Sequence, residues 1–263
     1  MRRLTERPHS ERGASAAEHF AVLGATYDRS AFGEAGTRWV SDRELRIVSS
    51  AISHLPEGAK VLDAGAGNGR FSQLLAERHR LHVTALDLVP EMLQTVHARV
   101  PSAQTVLARL GEPLPLRTQS FDAVVSIRVL KWVPAWQDAM HDLARVLKPG
   151  GTIVVEITNR HSLARFGYIG APIGLCTIAE MRAIGRQVGI DWTAASAGTH
   201  LPHPVWSRAR SNLAVRVCSS IQVGLDALLR TAGARSIFLA GTKQLDDGGR
   251  ARGIMPTSKR AVS

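Results

Sequence analysis

From Ala59 to Thr158, short runs rich in β-branched and aliphatic residues alternate with stretches of helical periodicity, and no other feature constrains the fold of this 263-residue chain so strongly. KVLDAG, LHVTALDL, QTVLARL, FDAVVSI and TIVVEIT read as strands. FSQLLAERH, EMLQTVHARV and the stretch from Ala135 to Leu147 read as the helices among them. Such alternation predicts βαβ units, hence a parallel sheet covered by helices on both faces. After Glu156 the regularity weakens, but IDWTAASAG supplies a sixth strand and ARSIFLAGTK a seventh that folds back into the sheet. The expected fold class is therefore α/β, doubly wound, with a seven-stranded and mostly parallel sheet. Right-handed crossovers bring the strand ends and the loops after them to one edge, where ligands bind.

The chemistry concentrates in Val61-Leu62-Asp63-Ala64-Gly65-Ala66-Gly67-Asn68-Gly69, an apolar strand running into a glycine-rich turn that opens a helix. The glycines let the backbone turn tightly and approach a ligand with no Cβ in the way. The spacing is G-x-G-x-G rather than G-x-G-x-x-G, and Asp63 stands just before the first glycine. A carboxylate there opposes a pyrophosphate at the helix N-terminus. It favours a ligand carrying an ammonium group instead. At the tip of the second strand Asp87 can accept hydrogen bonds from both hydroxyls of a ribose, with the apolar Leu88 beside it for a base. A helix cap or a turn accounts for either aspartate alone; the two in register with the glycines point to a nucleoside.

The stretch from Val61 to Glu156 resembles a class I S-adenosylmethionine-dependent methyltransferase, of the broad small-molecule group that includes ubiquinone and menaquinone biosynthesis enzymes. VLDAGAGNGRFS, ALDLVPEML, LPLRTQSFDAVVS, VLKWVPAWQDAMHDLARVLKPGG and TIVVEIT carry the resemblance, over roughly a third to two-fifths of the chain. It implies a Rossmann-like methyltransferase fold and S-adenosylmethionine as cofactor. Asp63, Ala64, Gly65, Gly67 and Gly69 would hold the methionine end, Asp87 the ribose, and Ser126 would line the floor. Relatives often carry an acidic residue for the adenine amine after the third strand; here Arg109-Leu110-Gly111 leaves adenine to backbone groups and the apolar contact of Leu110 and Gly111. Many relatives also have a histidine where Lys131 stands, and a solvated or helix-capping lysine is the reading adopted for it. HFAVLGATYDRS resembles the helical lid of the group, with Tyr27 expected to face the cofactor.

The expected organisation is a helical lid over residues 1–58, a cofactor-binding domain over 59–242 with insertions at about 159–177 and 199–232, and a disordered basic tail over 243–263. The net charge of +11 divides unevenly: residues 13–156 are neutral, whereas 157–235 carry nine Arg against Glu180, Asp191 and Asp226. The excess falls where an acceptor would be handled, which suits an anionic or lipid-like biosynthetic intermediate, a membrane surface or RNA. An RNA methyltransferase is the alternative, disfavoured because SIRVLKW stands where an Asn/Asp-Pro-Pro-aromatic motif would follow the fourth strand. A non-catalytic cofactor-binding protein is the second alternative. No apolar run reaches the roughly 18 residues of a membrane span, and the charged start resembles no secretory signal, so a cytoplasmic location is expected. Cys176 and Cys218 lack metal or redox spacing and read as buried free thiols; no metal is expected.

Methyl transfer requires no base, so no catalytic residue is assigned. For a hydroxyl acceptor a base helps, and His161, His200 and His203 lie in the insertions, each read first as structural. The insertion holding Trp206, Leu213, Val217, Ile221, Leu225, Leu228 and Leu229 reads as a helix with a broad apolar face. Packing onto the sheet is the preferred account of that face; covering a hydrophobic substrate or docking on a membrane, with Arg208, Arg210, Arg216 and Arg230 at its margins, are the others.

Overall fold

A computed structural model describes residues 21–22, 31–162 and 174–245. Tyr27, most of the expected lid, residues 163–173 of the first insertion and the tail beyond Leu245 lie outside the described residues. The helix α1 (Ala35–Ile52) is followed by β1 (Lys60–Ala64), α2 (Arg70–Gln73, continuing as a π-helical turn Leu74–Arg78), β2 (His82–Asp87), α3 (Pro90–Arg99), β3 (Gln104–Leu107) and β4 (Phe121–Ser126). Then come α4 (Trp136–Val146), β5 (Leu147–Thr158), α5 (Ile178–Val188), β6 (Ile190–Thr199), α6 (His203–Arg208), α7 (Asn212–Leu229) and β7 (Ser236–Lys243). The seven strands form one sheet in the order β3-β2-β1-β4-β5-β7-β6. β1 through β5 pair in parallel, and β7 runs antiparallel between β5 and β6. The mostly parallel sheet and the returning seventh strand are those read from the sequence.

Alternation along the strands sends side chains to two cores. Leu62, Leu86, Val124 and Ile153 face α4 and α5, where they meet Met140, Leu143 and Met181. Their neighbours Val61, Ala85, Val125 and Val154 face the other way, onto Val48 and Ile52 of α1, Phe71 and Leu75 of α2, and Val96 of α3. Local signals set several ends. Thr177 and Glu180 close a capping box on α5, and Gly189 ends that helix at φ +72°. Pro90 opens α3, and the Ser211 side chain accepts from Ala214 N at the start of α7.

α7 departs from the expected packing. Gln222 is its one buried residue, while Leu213, Val217, Ile221 and Leu228 are exposed. The reason lies on its inner side, where Gln222 donates from Nε2 to Asp226 Oδ1 (2.8 Å) and accepts at Oε1 from His200 N (2.9 Å), and Asp226 meets Arg43 of α1 at 2.7 Å. A polar network docks this helix on α1 with Val215, Cys218 and Leu225 half-buried beside it, and Leu213, Val217, Ile221 and Leu228 are left outside. Among the described residues no helix is long and apolar enough to cross a membrane. Cys176 is buried, and Cys218 is only partly so.

Candidate functional site

In the order β3-β2-β1-β4, successive crossovers leave β1 in opposite directions, so a crevice opens at the carboxyl ends of the strands beside β1. A cavity of about 490 Å³ lies there, within the range of small-ligand sites. Four loops wall it, after β1, β2, β3 and β4, including Gly65 to Gly67, Asp87 to Val89, Ala108 to Glu112 and Ile127 to Val129.

The turn after β1 has Gly65, Gly67 and Gly69 at φ +79°, +53° and +84°, where a side chain would be strained. A Cβ on Gly65 would also lie 2.3 Å from the Val129 side chain, whereas at Gly67 nothing lies within 4 Å. The second glycine thus keeps open space on the cavity wall. Four N–H groups of the turn are engaged internally: Gly65 and Ala66 donate to Leu86 O, Gly69 to Ala66 O, and Gly67 to Asp87 Oδ2. A pyrophosphate cradle needs such N–H groups turned to the ligand. This turn offers a close backbone wall instead.

Asp87 accepts from Gly67 N at 2.8 Å on Oδ2 and from Val89 N at 2.9 Å on Oδ1. A carboxylate has about four lone-pair sites, so each oxygen keeps capacity for a ligand hydroxyl. Burial pushes its carboxyl up, and the backbone donors act against that. Leu88, Val89, Met92, Leu110 and Val133 supply apolar wall beyond it.

Asp63 is buried beneath the turn, where it accepts from Ser72 Oγ at 2.7 Å; burial pushes its carboxyl to about 6, opposed by that hydrogen bond. Of the residues expected at the site, Gly65, Gly67, Asp87, Leu88, Leu110 and Gly111 line the cavity. Asp63, Ala64, Gly69 and Ser126 are outside its lining. Ser126 lies under the floor, its hydroxyl donating to Ala64 O at 2.9 Å and tying β4 to β1. Gly69 is set where a Cβ would meet Val96 of α3 at 3.2 Å, so it serves helix packing.

Sequence reasoning passed over Asn68, Arg70 and Arg128. Asn68 is buried on the cavity wall, and its Nδ2 has no hydrogen-bond partner among the described residues. Arg70 pairs with the buried Glu44 of α1 at 2.6 Å, and Arg128 reaches the same carboxylate at 3.2 Å. Burial pulls the Glu44 carboxyl upward, but the two guanidiniums outweigh it and hold it below the usual range. Arg128 has φ +65°, a conformation that clusters at functional sites in non-glycine residues. Glycine spacing carries no trace of these contacts, which α1 brings from a distant part of the chain.

Lys131, expected to be solvated or to cap a helix, is instead buried in the turn after β4. Burial and the neighbouring Arg128 and Arg235 push its ammonium down to about 7, against the pull of Glu156 and Glu44. A small second cavity is lined by Phe32, His203, Trp206, Arg235 and Arg128, the last of which also lines the first cavity. Burial and the nearby cations hold His203 below the usual histidine range. His200 is buried with Nδ1 3.0 Å from Gln222 Nε2, and His161 is exposed. Among the described residues no group of three or more metal-ligating side chains gathers.

Residues 62–155 match the family described as Methyltransferase domain. Demethylmenaquinone methyltransferase of Tropheryma whipplei (strain Twist) is 33% identical over 148 residues, 56% of this chain and 60% of that protein. Malonyl-[acyl-carrier protein] O-methyltransferase of Serratia marcescens is 34% identical over 151 residues, 57% of this chain and 55% of that protein. The chain thus spans somewhat over half the length of these two relatives. Among solved structures, a methyltransferase of Thermotoga maritima described as a possible histamine N-methyltransferase superposes with a TM-score of 0.61 at 19% identity, covering 86% of this chain and 99% of that one. The likeness is one of fold.

Proposed function

We propose, taking residues 62–155 as a methyltransferase domain, that this chain binds S-adenosylmethionine in the 490 Å³ cavity and methylates a small-molecule biosynthetic intermediate of anionic or lipid-like character. The observation that carries the reading is the turn after β1, where the N–H groups of Gly65, Ala66, Gly67 and Gly69 are engaged by Leu86, Ala66 and Asp87 while Gly67 faces open space. A phosphate-free nucleoside fits such a wall. In this reading Asp87 receives the ribose hydroxyls, and Leu88, Val89, Met92 and Leu110 enclose the base. Asp63 beneath the turn supplies negative charge toward the amino group, and Asn68 and Arg70 face the carboxylate. When bound, the cofactor supplies a sulfonium methyl group already activated for displacement.

The residues of the chain then position the acceptor and exclude water. Held neutral, His203 is able to take the proton of an acceptor hydroxyl, and it shares a cavity with Arg128, which also lines the cofactor cavity. The basic surplus of residues 157–235 supports an acceptor bearing negative charge. Calorimetric titration of the protein with S-adenosylmethionine and S-adenosylhomocysteine tests the reading. Saturable binding is expected, weakened at least about tenfold by Asp87→Ala through loss of charge-assisted hydrogen bonds. A folded protein that binds neither compound overturns it.

A further inference from the structure

A surface helix on a globular protein ordinarily turns its apolar stripe inward. α7 keeps Val215, Cys218 and Leu225 half-buried but turns a second apolar stripe outward. Its inner side carries Gln222 and Asp226, joined to His200 and Arg43. Leu213, Val217, Ile221 and Leu228, at spacings of four, four and seven, lie on the outer side, with Leu213 72% and Leu228 79% exposed. Gly224 falls on the same side, and a Cβ there would meet nothing within 4 Å. At the rise of an α-helix, the 18 residues make a ridge about 27 Å long.

The exposed charges of α7 and the turns that flank it are of one sign. Arg208, Arg210, Arg216 and Arg230 are all exposed at its ends and margin. Asp226, the only acid of the helix, is turned inward onto Arg43 at 2.7 Å. Arg210 keeps one long contact, 3.4 Å to the carboxylate of Glu34. An apolar helix face bordered by arginines is complementary to an anionic lipid interface, where acyl chains receive the aliphatic side chains and headgroup phosphates meet the guanidiniums. A second copy of the chain would bring the same arginines against one another.

We propose that the outer face of α7 seats the protein on an anionic membrane surface, with Leu213, Val217, Ile221 and Leu228 entering the interface and Arg208, Arg210, Arg216 and Arg230 meeting lipid phosphates. The proposal does not depend on what the cofactor cavity binds.

Co-sedimentation of the full chain with large unilamellar vesicles, of phosphatidylcholine alone and of a three-to-one mixture with phosphatidylglycerol, tests it at low ionic strength. The protein is expected to pellet with the mixed vesicles, to remain largely in solution with the neutral ones, and to be released by salt. Leu213→Ser/Leu228→Ser and, separately, Arg216→Glu/Arg230→Glu should each lower partition onto the mixed vesicles about tenfold. All four side chains are exposed, so both variants should keep the circular dichroism and melting temperature of the parent. Three results would overturn the proposal. The first is a parent protein that stays in solution with mixed vesicles, which leaves the ridge for a soluble acidic partner. The second is binding that both variants retain, which places the contact on another basic surface. The third is a parent dimer in light scattering that Leu213→Ser/Leu228→Ser converts to monomer, which assigns the ridge to a second copy.

Discussion

Asp63 is a buried carboxylate to which the proposed function also gives a part in binding the ligand. With its carboxyl pushed to about 6 by burial, the folded protein holds this proton more tightly than the unfolded chain does. Stability therefore falls as pH rises from about 4 to about 6, and a penalty of about 3 kcal/mol persists above that window. Asp63→Asn keeps an acceptor for Ser72 and removes the buried charge, so its urea midpoint at pH 7.5 should equal or exceed that of the parent. An ammonium-bearing ligand beside Asp63 needs the carboxylate ionised. The affinity for S-adenosylhomocysteine should then weaken about tenfold per pH unit below about 6. Asp87, whose carboxyl is also pushed up, titrates in the same direction, so the deciding comparison is Asp63→Asn, in which the slope should flatten. An unchanged slope in that variant would remove Asp63 from the site. Lys131 shows what residue spacing cannot convey: a lysine after the fourth strand reads as solvated, yet the fold closes over it. Its ammonium, pushed down to about 7, is less readily protonated in the folded state than in the unfolded one. Stability attributable to it should therefore rise with pH from about 7 toward the unfolded lysine value near 10.4. Lys131→Met should be at least about 1 kcal/mol more stable than the parent at pH 6 by denaturant unfolding, with the difference shrinking as pH rises.

At the scale of elements, α1 matters less for the core it covers than for Glu44, which meets Arg70 of α2 at 2.6 Å and Arg128 after β4 at 3.2 Å. Glu44→Gln leaves two guanidiniums without their common carboxylate and should destabilise the protein by about 3 kcal/mol in urea unfolding at pH 7. The folded carboxyl is depressed, so this contribution is present above the unfolded glutamate value and is lost as pH falls through the folded one. The parent and the variant should therefore converge in acid. A midpoint unchanged at pH 7 would show that the Glu44 ion pairs contribute nothing to holding α1 in place. The strands and helices from β1 to β5 were legible because composition and punctuation act locally: short, nearly continuous apolar runs mark KVLDA and FDAVVS, Pro90 marks a helix start, and the glycines mark the turn. The orientation of α7 was not legible. Its composition asks for apolar burial, and only Gln222, Asp226 and Arg43, 183 residues apart at the Arg43–Asp226 contact, decide which side faces in. The pairing of Glu44 with Arg70 and Arg128 was hidden for the same reason. Long-range ion pairs leave no periodic signal.

For the molecule as a whole, the order β3-β2-β1-β4-β5-β7-β6 gathers four loops distant in sequence around one cavity, while β6 and β7 lie at the far edge of the sheet. A ligand in that cavity bridges loops that are together only in the folded state, so it must stabilise folding by mass action. At S-adenosylhomocysteine concentrations about a hundredfold above the dissociation constant, the gain is about 2.7 kcal/mol, which for a domain of this size raises the melting temperature by about 5 to 10 °C. The Asp87→Ala variant should show little of this rise. Hydrogen exchange should locate it: added protection is expected in the loops after β1, β2, β3 and β4, where Gly67, Val89, Gly111 and Arg128 stand, and not in the paired strands β6 and β7. Protection spread evenly over the sheet with no excess at those loops would mean that the ligand binds elsewhere, and a rise in melting temperature retained by Asp87→Ala would lead to the same conclusion by an independent route.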